Sequence, residues 1–174
     1  FQLVFADELC VPSYPYYDFF KSLEMPFKVW ESISDYLKKN NLELFFDIYG
    51  TKSLKWAKRL EANGVKISTT DFENIDLIQK SLKLFDEVLI SIGGVDFKNI
   101  LGLWNLIEGN RDKVTFMHGF QAEPTLIKDN NLFRLRKLKE KFKDINLGFM
   151  DHSEGDKDLA LYLPILSLGF GINC

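Results

Sequence analysis

Polar side chains suited to binding an anionic, oxygen-rich ligand follow several short apolar runs of this sequence. Lys66 lies inside one such run, and Thr69 comes three residues later. Ser91 lies near the end of a second run, which the pair Gly93-Gly94 follows. Lysine supplies a point charge, and hydroxyl and glycine backbone groups donate hydrogen bonds to phosphate or carboxylate oxygens. Because a lysine is costly in an apolar run unless it meets an anion, Lys66 is the strongest candidate.

Two histidines offer acid–base or metal chemistry. His118 ends another apolar run and is interpreted as a hydrogen-bonded core histidine, while His152 follows Asp151 after the next run. A metal needs several imidazole, thiolate or carboxylate ligands, so His152 alone does not define a metal site. Other polar residues at the ends of the runs complete the candidate set: Gln2, Asp47, Tyr49, Asp71 and Gln121.

The runs that must position these residues carry apolar side chains at consecutive positions, which is typical of strands buried on both faces of a parallel sheet. There are seven of them: Leu3–Phe5, Leu42–Ile48, Val65–Ser68, Glu87–Ile92, Val114–His118, Asn146–Met150 and Phe170–Asn173. The segments between them show helical periodicity. Thr70 with Glu73 predicts a capping box, and Pro164 is expected to bend or restart the last helix.

Repeated strand–helix units fit either a doubly wound open sheet or a (β/α)8 barrel. No glycine-rich phosphate fingerprint follows a strand, which weakens the first option. A barrel usually needs about 250 residues, so 174 residues would form an incomplete one. In both architectures ligands bind at the carboxyl ends of the strands. The segment from Ala6 to Pro26 is predicted to be a long loop that is functional or packs on the surface.

Composition narrows the class of protein. Hydrophobic residues make up 46% and aromatic residues 14%, which excludes disorder, and a net charge of −3 argues against a nucleic-acid partner. No apolar run reaches the roughly 18–20 residues of a membrane span, so no membrane partner is expected. The two cysteines, Cys10 and Cys174, form no disulfide framework, and we expect a reducing, cytoplasmic location.

Several segments together resemble one family. Residues 148–152, Gly-Phe-Met-Asp-His, resemble the G-[YL]-S-D-H motif of the N-acetylneuraminate (sialic acid) synthase family. Further motifs of that family are matched in order by Phe1-Gln2 (K-F-Q), by residues 66–71 (Y-K-I-x-S-x-E), by residues 89–93 (L-S-T-G), by His118, Pro124, Asp129, Asn131 and Leu132, and by residues 170–174 (L-G-A-x-x). The resemblance covers essentially the whole chain.

The resemblance implies a (β/α)8 TIM barrel, of which residues 1–174 would be a single partial domain with about strands 2–8. The first strand and helix, the last helix and a C-terminal antifreeze-like domain would be absent from this stretch. The family also implies a homodimer of the full-length protein.

The activity implied is a transferase of polysaccharide biosynthesis that condenses phosphoenolpyruvate with an N-acyl amino sugar to make a nonulosonic acid, with manganese or magnesium as cofactor. The phosphoenolpyruvate ligands would be Lys66, Thr69, Ser91 and Gln121. The sugar ligands would be Gln2, Asp71 and Glu123, and the metal ligand would be His152.

Four residues depart from the family pattern, and three of them keep other functions open. Gln121 stands where an asparagine is usual. Asp47 stands where a threonine is usual, Glu123 where a tyrosine is usual, and Met150 where the motif has serine. These departures indicate an altered substrate or a relaxed site. One alternative is therefore a non-catalytic relative that binds a ligand or partner without turnover. Another is a barrel aldolase or lyase acting on sugar phosphates, with Lys66 as a Schiff-base amine.

Overall fold

The structure is a computed structural model that describes residues 1–174. Its strands are β1 (Phe45–Ile48), β2 (Gly64–Ile67), β3 (Glu87–Ser91), β4 (Val114–His118) and β5 (Asn146–Phe149). Its helices are α1 (Ala6–Leu9), α2 (Tyr17–Ser22), α3 (Phe27–Lys39), α4 (Thr51–Arg59), α5 (Ile75–Leu84), α6 (Phe97–Leu106), α7 (Phe133–Lys141) and α8 (Leu159–Leu168). Short 3₁₀ turns cover Thr69–Asp71, Glu108–Lys113 and Ile127–Asp129. From β1 onward strands and helices alternate, as the sequence predicts.

The five strands form one sheet in the order β1-β2-β3-β4-β5. β1 pairs with β2, and β4 with β5, in parallel. Each strand lies next to the strand that follows it in sequence, and a helix connects the two. This βα unit is the repeat of the predicted barrel. The chain divides into two compact units, Phe1–Val88 and Leu89–Cys174. The single-domain assignment stays a prediction.

In the first unit, strand β1 shows why the sequence folds locally as it does. Phe46 and Ile48 are fully buried, and the Phe46 ring meets Trp30 of α3 edge-on at 5.3 Å. Phe45 and Asp47 alternate with them and are only half-buried. Because side chains alternate between the two faces of a strand, Asp47 lies on the face opposite the helix-packed residues.

In the second unit, aromatic packing holds the end of β4 in place. Phe116 is fully buried and its ring lies 6.2 Å from that of Trp104 on α6, which in turn lies 5.9 Å from Phe142. Leu135 and Leu138 bury one face of α7. These contacts fix the carboxyl end of β4, where the buried His118 stands.

Two of the seven predicted strands do not form. At the first run, Leu3 donates to the carbonyl of Asp47 at 3.0 Å, and the preceding Gln2 makes only an isolated parallel bridge to Asp47. In the last run, Asn173 donates to the carbonyl of Leu147 and Phe149 donates to that of Cys174, at 2.7 and 2.9 Å. Two such bonds align the chain beside β5 without making a strand. The loop predicted between residues 6 and 26 is also corrected, because it contains helices α1 and α2.

The predicted capping box is wrong. Helix α5 begins at Ile75, and its N-cap is Asn74, whose side chain accepts a hydrogen bond from the Leu77 amide at 3.2 Å. Thr70 lies in a 3₁₀ turn, where its hydroxyl donates to that of Ser68. The last predicted helix is present as α8, with Pro164 inside it. No helix has the length and the apolar character needed to span a bilayer.

Candidate functional site

Three candidate residues of the first unit form a row across the sheet. Gln2 bridges Asp47, and Asp47 is the register partner of Lys66 in the neighbouring strand. Register partners in a parallel sheet point to the same face, so the three side chains stand side by side. These side chains lie on the face of the sheet opposite the buried residues of β1.

Lys66 is held by Asp47. Its Nζ atom donates to both carboxylate oxygens, at 2.8 and 2.9 Å, and the two side chains are only 23% and 18% exposed. The acid that departs from the family pattern therefore neutralises the cation predicted to bind phosphoenolpyruvate. A ligand anion that approaches Lys66 meets an ion pair rather than a free charge.

Two further polar groups follow strands β1 and β2. Burial, together with the negative charges of Asp47 and Asp71, raises the pKa of the Tyr49 hydroxyl to about 12. Tyr49 therefore stays protonated at neutral pH and keeps its donor hydrogen. The Oγ1 atom of Thr69 is buried and has no hydrogen-bond partner. Since buried hydroxyls are nearly always paired, this atom is available to a bound ligand.

The carboxyl end of β3 in the second unit places the other predicted hydroxyl. Ser91 is fully buried, and its Oγ atom lies 3.7 Å from the Sδ atom of Met150. Met150 is fixed there by its amide, which donates to the carbonyl of His118 at 2.7 Å. A thioether is a weak acceptor. Ser91 is thus covered by the second residue that departs from the family motif.

His118 is a satisfied core histidine, as interpreted from the sequence. Its Nε2 atom lies 3.0 Å from the carbonyl oxygen of Asn130, and its Nδ1 atom lies 3.4 Å from Nη1 of Arg134. A carbonyl only accepts and a guanidinium only donates, so these contacts assign the hydrogen to Nε2. Burial lowers the pKa of His118, which keeps the ring neutral.

The remaining candidates of the second unit are not gathered into one cluster of polar contacts. Gln121 and Glu123 are exposed. His152 donates no hydrogen bond from Nδ1, which is buried and without a partner, while its carbonyl accepts from the Thr125 amide at 2.8 Å. The Nδ1 atom is one possible metal ligand.

The residues present do not by themselves make the divalent-metal site that the resemblance implies. No group of three or more His, Cys, Asp or Glu side chains in the chain could hold a metal ion. The side chain next to His152 is also engaged, because Asp151 accepts hydrogen bonds from the amide and the hydroxyl of Ser153 at 2.9 and 2.6 Å. His152 as a ligand of manganese or magnesium stays a prediction.

Sequence reasoning missed Arg134. It follows Phe133 in the basic stretch of α7 and has no spacing that separates it from the surface lysines and arginines around it. In the structure it is half-buried and donates from Nη1 to the carbonyl of Ile92 at 2.8 Å and from Nη2 to that of Val95. Only the fold shows that this arginine reaches the loop after β3.

The parallel strands and the βα repeats agree with the fold of known proteins. The model of the NeuB family matches residues 7–167, and the chain belongs to that family. The structure is similar to an N-acetylneuraminic acid (sialic acid) synthetase of Leptospira borgpetersenii solved in complex with citrate, with a TM-score of 0.86 and 21% identity over 99% of this chain and 58% of that one. This likeness confirms the predicted barrel fold.

Curated relatives are similar at comparable identity. An uncharacterized protein of Methanocaldococcus jannaschii is 25% identical over 98% of this chain and 49% of its own length. A pseudaminic acid synthase of Helicobacter pylori is 23% identical over 89% of this chain and 44% of its own length. The chain thus spans about half the length of the curated relatives that it matches.

Proposed function

We propose that this chain is part of a sugar-acid synthase that condenses phosphoenolpyruvate with an N-acyl amino sugar. The observation that carries the proposal is the half-buried Lys66 ammonium at the carboxyl end of β2, followed by the unpartnered, buried hydroxyl of Thr69. A cation and a free hydroxyl donor at a strand end suit a small ligand with phosphate and carboxylate groups. Membership in the NeuB family supports the same chemistry.

In the proposed reaction, the enol carbon of phosphoenolpyruvate attacks the aldehyde carbon of the open-chain sugar and forms the new carbon–carbon bond. Water then adds to the carbon that bears the phosphate, and inorganic phosphate leaves. The residues that would hold the donor are those the resemblance implies, Lys66, Thr69, Ser91 and Gln121. Gln2, Asp71 and Glu123 would contact the sugar.

In this proposal, Asp47 weakens the binding of phosphoenolpyruvate. Both oxygens of its carboxylate lie within hydrogen-bond distance of Lys66. A dianionic donor must displace at least one of these bonds and must also tolerate a nearby negative charge. We therefore expect weak binding of phosphoenolpyruvate, which strengthens when the charge of Asp47 is removed.

His152 would supply one ligand to a divalent metal, through the buried Nδ1 atom that has no partner. A bound metal would polarise the sugar aldehyde as a Lewis acid. The expected homodimer, the expected cytoplasmic location and the additional segments of the full-length relatives remain part of the proposal.

Calorimetric titration of phosphoenolpyruvate into the protein tests the proposal. We expect saturable binding that is lost in Lys66→Met, and a control variant, Lys137→Ala, that binds like the parent because Lys137 is an exposed residue of α7. Absence of binding to the parent, or equal binding by Lys66→Met and Lys137→Ala, would count against the proposal.

A second candidate function is a non-catalytic relative that binds without turnover. A specific observation favours it: Lys66 and Ser91, the two strand-end residues assigned to phosphoenolpyruvate, are engaged by Asp47 and Met150, the residues that replace the family's own. Release of inorganic phosphate from phosphoenolpyruvate in the presence of an N-acyl amino sugar distinguishes the two candidates, because only the synthase turns its substrates over. A Schiff-base aldolase is disfavoured, because the Lys66 nitrogen is occupied by a carboxylate rather than free to attack a carbonyl.

A further inference from the structure

A cavity of about 350 Å³ lies in the second unit beside the end of β4. His118, Gly119, Lys128, Asp129 and Arg134 are among the residues that line it. Two of these are cations and one is a carboxylate, and His118 is neutral. The cavity therefore carries a net positive charge.

Arg134 is anchored at the cavity without charge compensation. Its guanidinium donates to the carbonyls of Ile92 and Val95, contacts Nδ1 of His118, and lies 5.8 Å from the centre of the Phe97 ring. None of these partners is an anion. A guanidinium has five N–H donors, so these three contacts leave further donors for a ligand.

The surroundings explain why this charge is unusual in the molecule. Burial of the guanidinium lowers the pKa of Arg134. Arginine nevertheless remains protonated in proteins. A half-buried cation that pairs with no acid is costly unless an anion is bound.

The backbone at Gly94 leaves part of the cavity open. Gly94 lines the cavity with a φ of +75°, and no atom lies within 4 Å of the place where its side chain would be. A positive φ is readily adopted only by glycine, so this turn after β3 keeps the space free. Lys128, which also lines the cavity, is exposed and can reach a ligand from solvent.

We propose that the Arg134 cavity binds an oxyanion group of a small ligand, either a phosphate or a carboxylate. Arg134 supplies a fixed planar fork for two oxygens, and Lys128 supplies a second positive charge. Asp129 also lines the cavity, and its negative charge limits the affinity for an anion. This inference does not depend on the proposed function, since it uses none of the residues assigned to phosphoenolpyruvate or to the sugar.

Titrations of the protein with inorganic phosphate and with acetate, followed by calorimetry and by the NMR signal of the Arg134 Nε–H group, test the inference. We expect at least one anion to bind saturably and to shift that signal, and the stronger binder identifies the ligand class. Lys128→Ala should weaken binding by about threefold and Arg134→Gln by at least about tenfold, because charge-assisted hydrogen bonds are lost. Lys137→Ala, on the exposed side of α7, should leave the affinity unchanged.

A variant that is expected to bind more tightly separates a specific loss of binding from a loss of folding. Asp129→Asn removes the only carboxylate that lines the cavity and should tighten binding by at least about twofold. Lys128 is exposed, so Lys128→Ala should keep the native circular dichroism spectrum even if Arg134→Gln does not. The inference is overturned if neither anion saturates, or if Lys128→Ala and Asp129→Asn bind with the affinity of Lys137→Ala.

Discussion

Lys66 and Arg134 are both half-buried cations near the ends of strands, one in each unit, yet their surroundings differ in one respect. Lys66 donates to both oxygens of Asp47, whereas Arg134 donates to the backbone carbonyls of Ile92 and Val95. The charge of Lys66 is neutralised by a carboxylate of the protein, whereas the charge of Arg134 is hydrogen-bonded only to uncharged groups. The sequence predicted Lys66 as a buried cation because it lies in an apolar run, and it gave no indication of Arg134. Residue type and position in an apolar run can therefore predict a buried cation, but they do not predict its partner.

The largest effect should come from breaking the pair in the first unit. Lys66→Met leaves the Asp47 carboxylate partly buried and unpaired, and we expect a loss of about 3 kcal/mol in the free energy of unfolding. Urea denaturation monitored by circular dichroism measures this loss.

A surface pair provides the control for that experiment. Arg136 and Glu140 form an ion pair on α7 with both side chains more than 60% exposed, at 67% and 63%. Arg136→Ala should cost less than about 0.5 kcal/mol, because exposed ion pairs contribute little. If Lys66→Met costs no more than Arg136→Ala, the Lys66–Asp47 pair is not the buried interaction described here.

The second unit should be sensitive to acid through His118. Its pKa is lowered by burial, so the folded state resists protonation, whereas the unfolded chain binds a proton below the ordinary value of 6.5. The unfolded state therefore gains protons as the pH falls below about 6.5, and stability decreases in that range. Denaturation midpoints measured between pH 8 and pH 5 in the parent and in His118→Gln show whether this contribution disappears. A parent whose midpoint did not change across that range would contradict the assignment.

Removing a helix cap should lower the stability by a similar, moderate amount in either unit. Equal losses would show that the two units differ in their buried cations and not in the stability of their helices. Asn74 caps α5 by accepting from the Leu77 amide, and Asp96 caps α6 by accepting from the Asn99 amide at 2.7 Å. Replacing either by alanine should cost about 1 kcal/mol of stability. Thr70→Ala should cost almost nothing, since Thr70 caps no helix. Thermal denaturation compares the three variants, and a larger loss for Thr70→Ala would restore the predicted capping box.

Among the candidate site residues, the smallest effect on stability should come from Ser91. Its hydroxyl is buried against the thioether of Met150, a weak acceptor, so Ser91→Ala should change the free energy of unfolding by less than about 0.5 kcal/mol. A loss above about 1.5 kcal/mol would mean that Ser91 makes a stronger hydrogen bond than the one to sulfur. Urea denaturation again gives the value.

Local patterns in the sequence predicted much of the fold. Runs of consecutive apolar residues predicted all five strands, because a strand that is buried on both faces carries apolar side chains at every position. Helical periodicity predicted the helices that pack on them, because a helix buried on one face carries apolar side chains every three or four residues. The first and last runs were wrongly predicted as strands, since composition does not reveal how many hydrogen bonds a neighbouring segment offers. The capping box failed because Asn74, four residues after Thr70, competes for the same helix start.

The candidate site was predictable only in part. The position of Lys66 followed from its apolar neighbours, but its pairing with Asp47 depends on the register of two strands that are nineteen residues apart at these positions. Arg134 was invisible for the same reason, since its partners lie 39 and 42 residues earlier in the chain. Long-range partners decide whether a buried cation is available to a ligand, and a single sequence contains no direct record of them.

The most direct test of the account is the affinity for phosphoenolpyruvate in the parent, in Asp47→Asn and in Lys66→Met, measured by calorimetry at the same pH and salt concentration. If Lys66 binds the donor and Asp47 competes for it, Asp47→Asn binds about tenfold more tightly than the parent, and Lys66→Met does not bind. Equal affinity in the parent and Asp47→Asn, or undiminished binding by Lys66→Met, would contradict the assignment of Lys66 as the donor-binding cation.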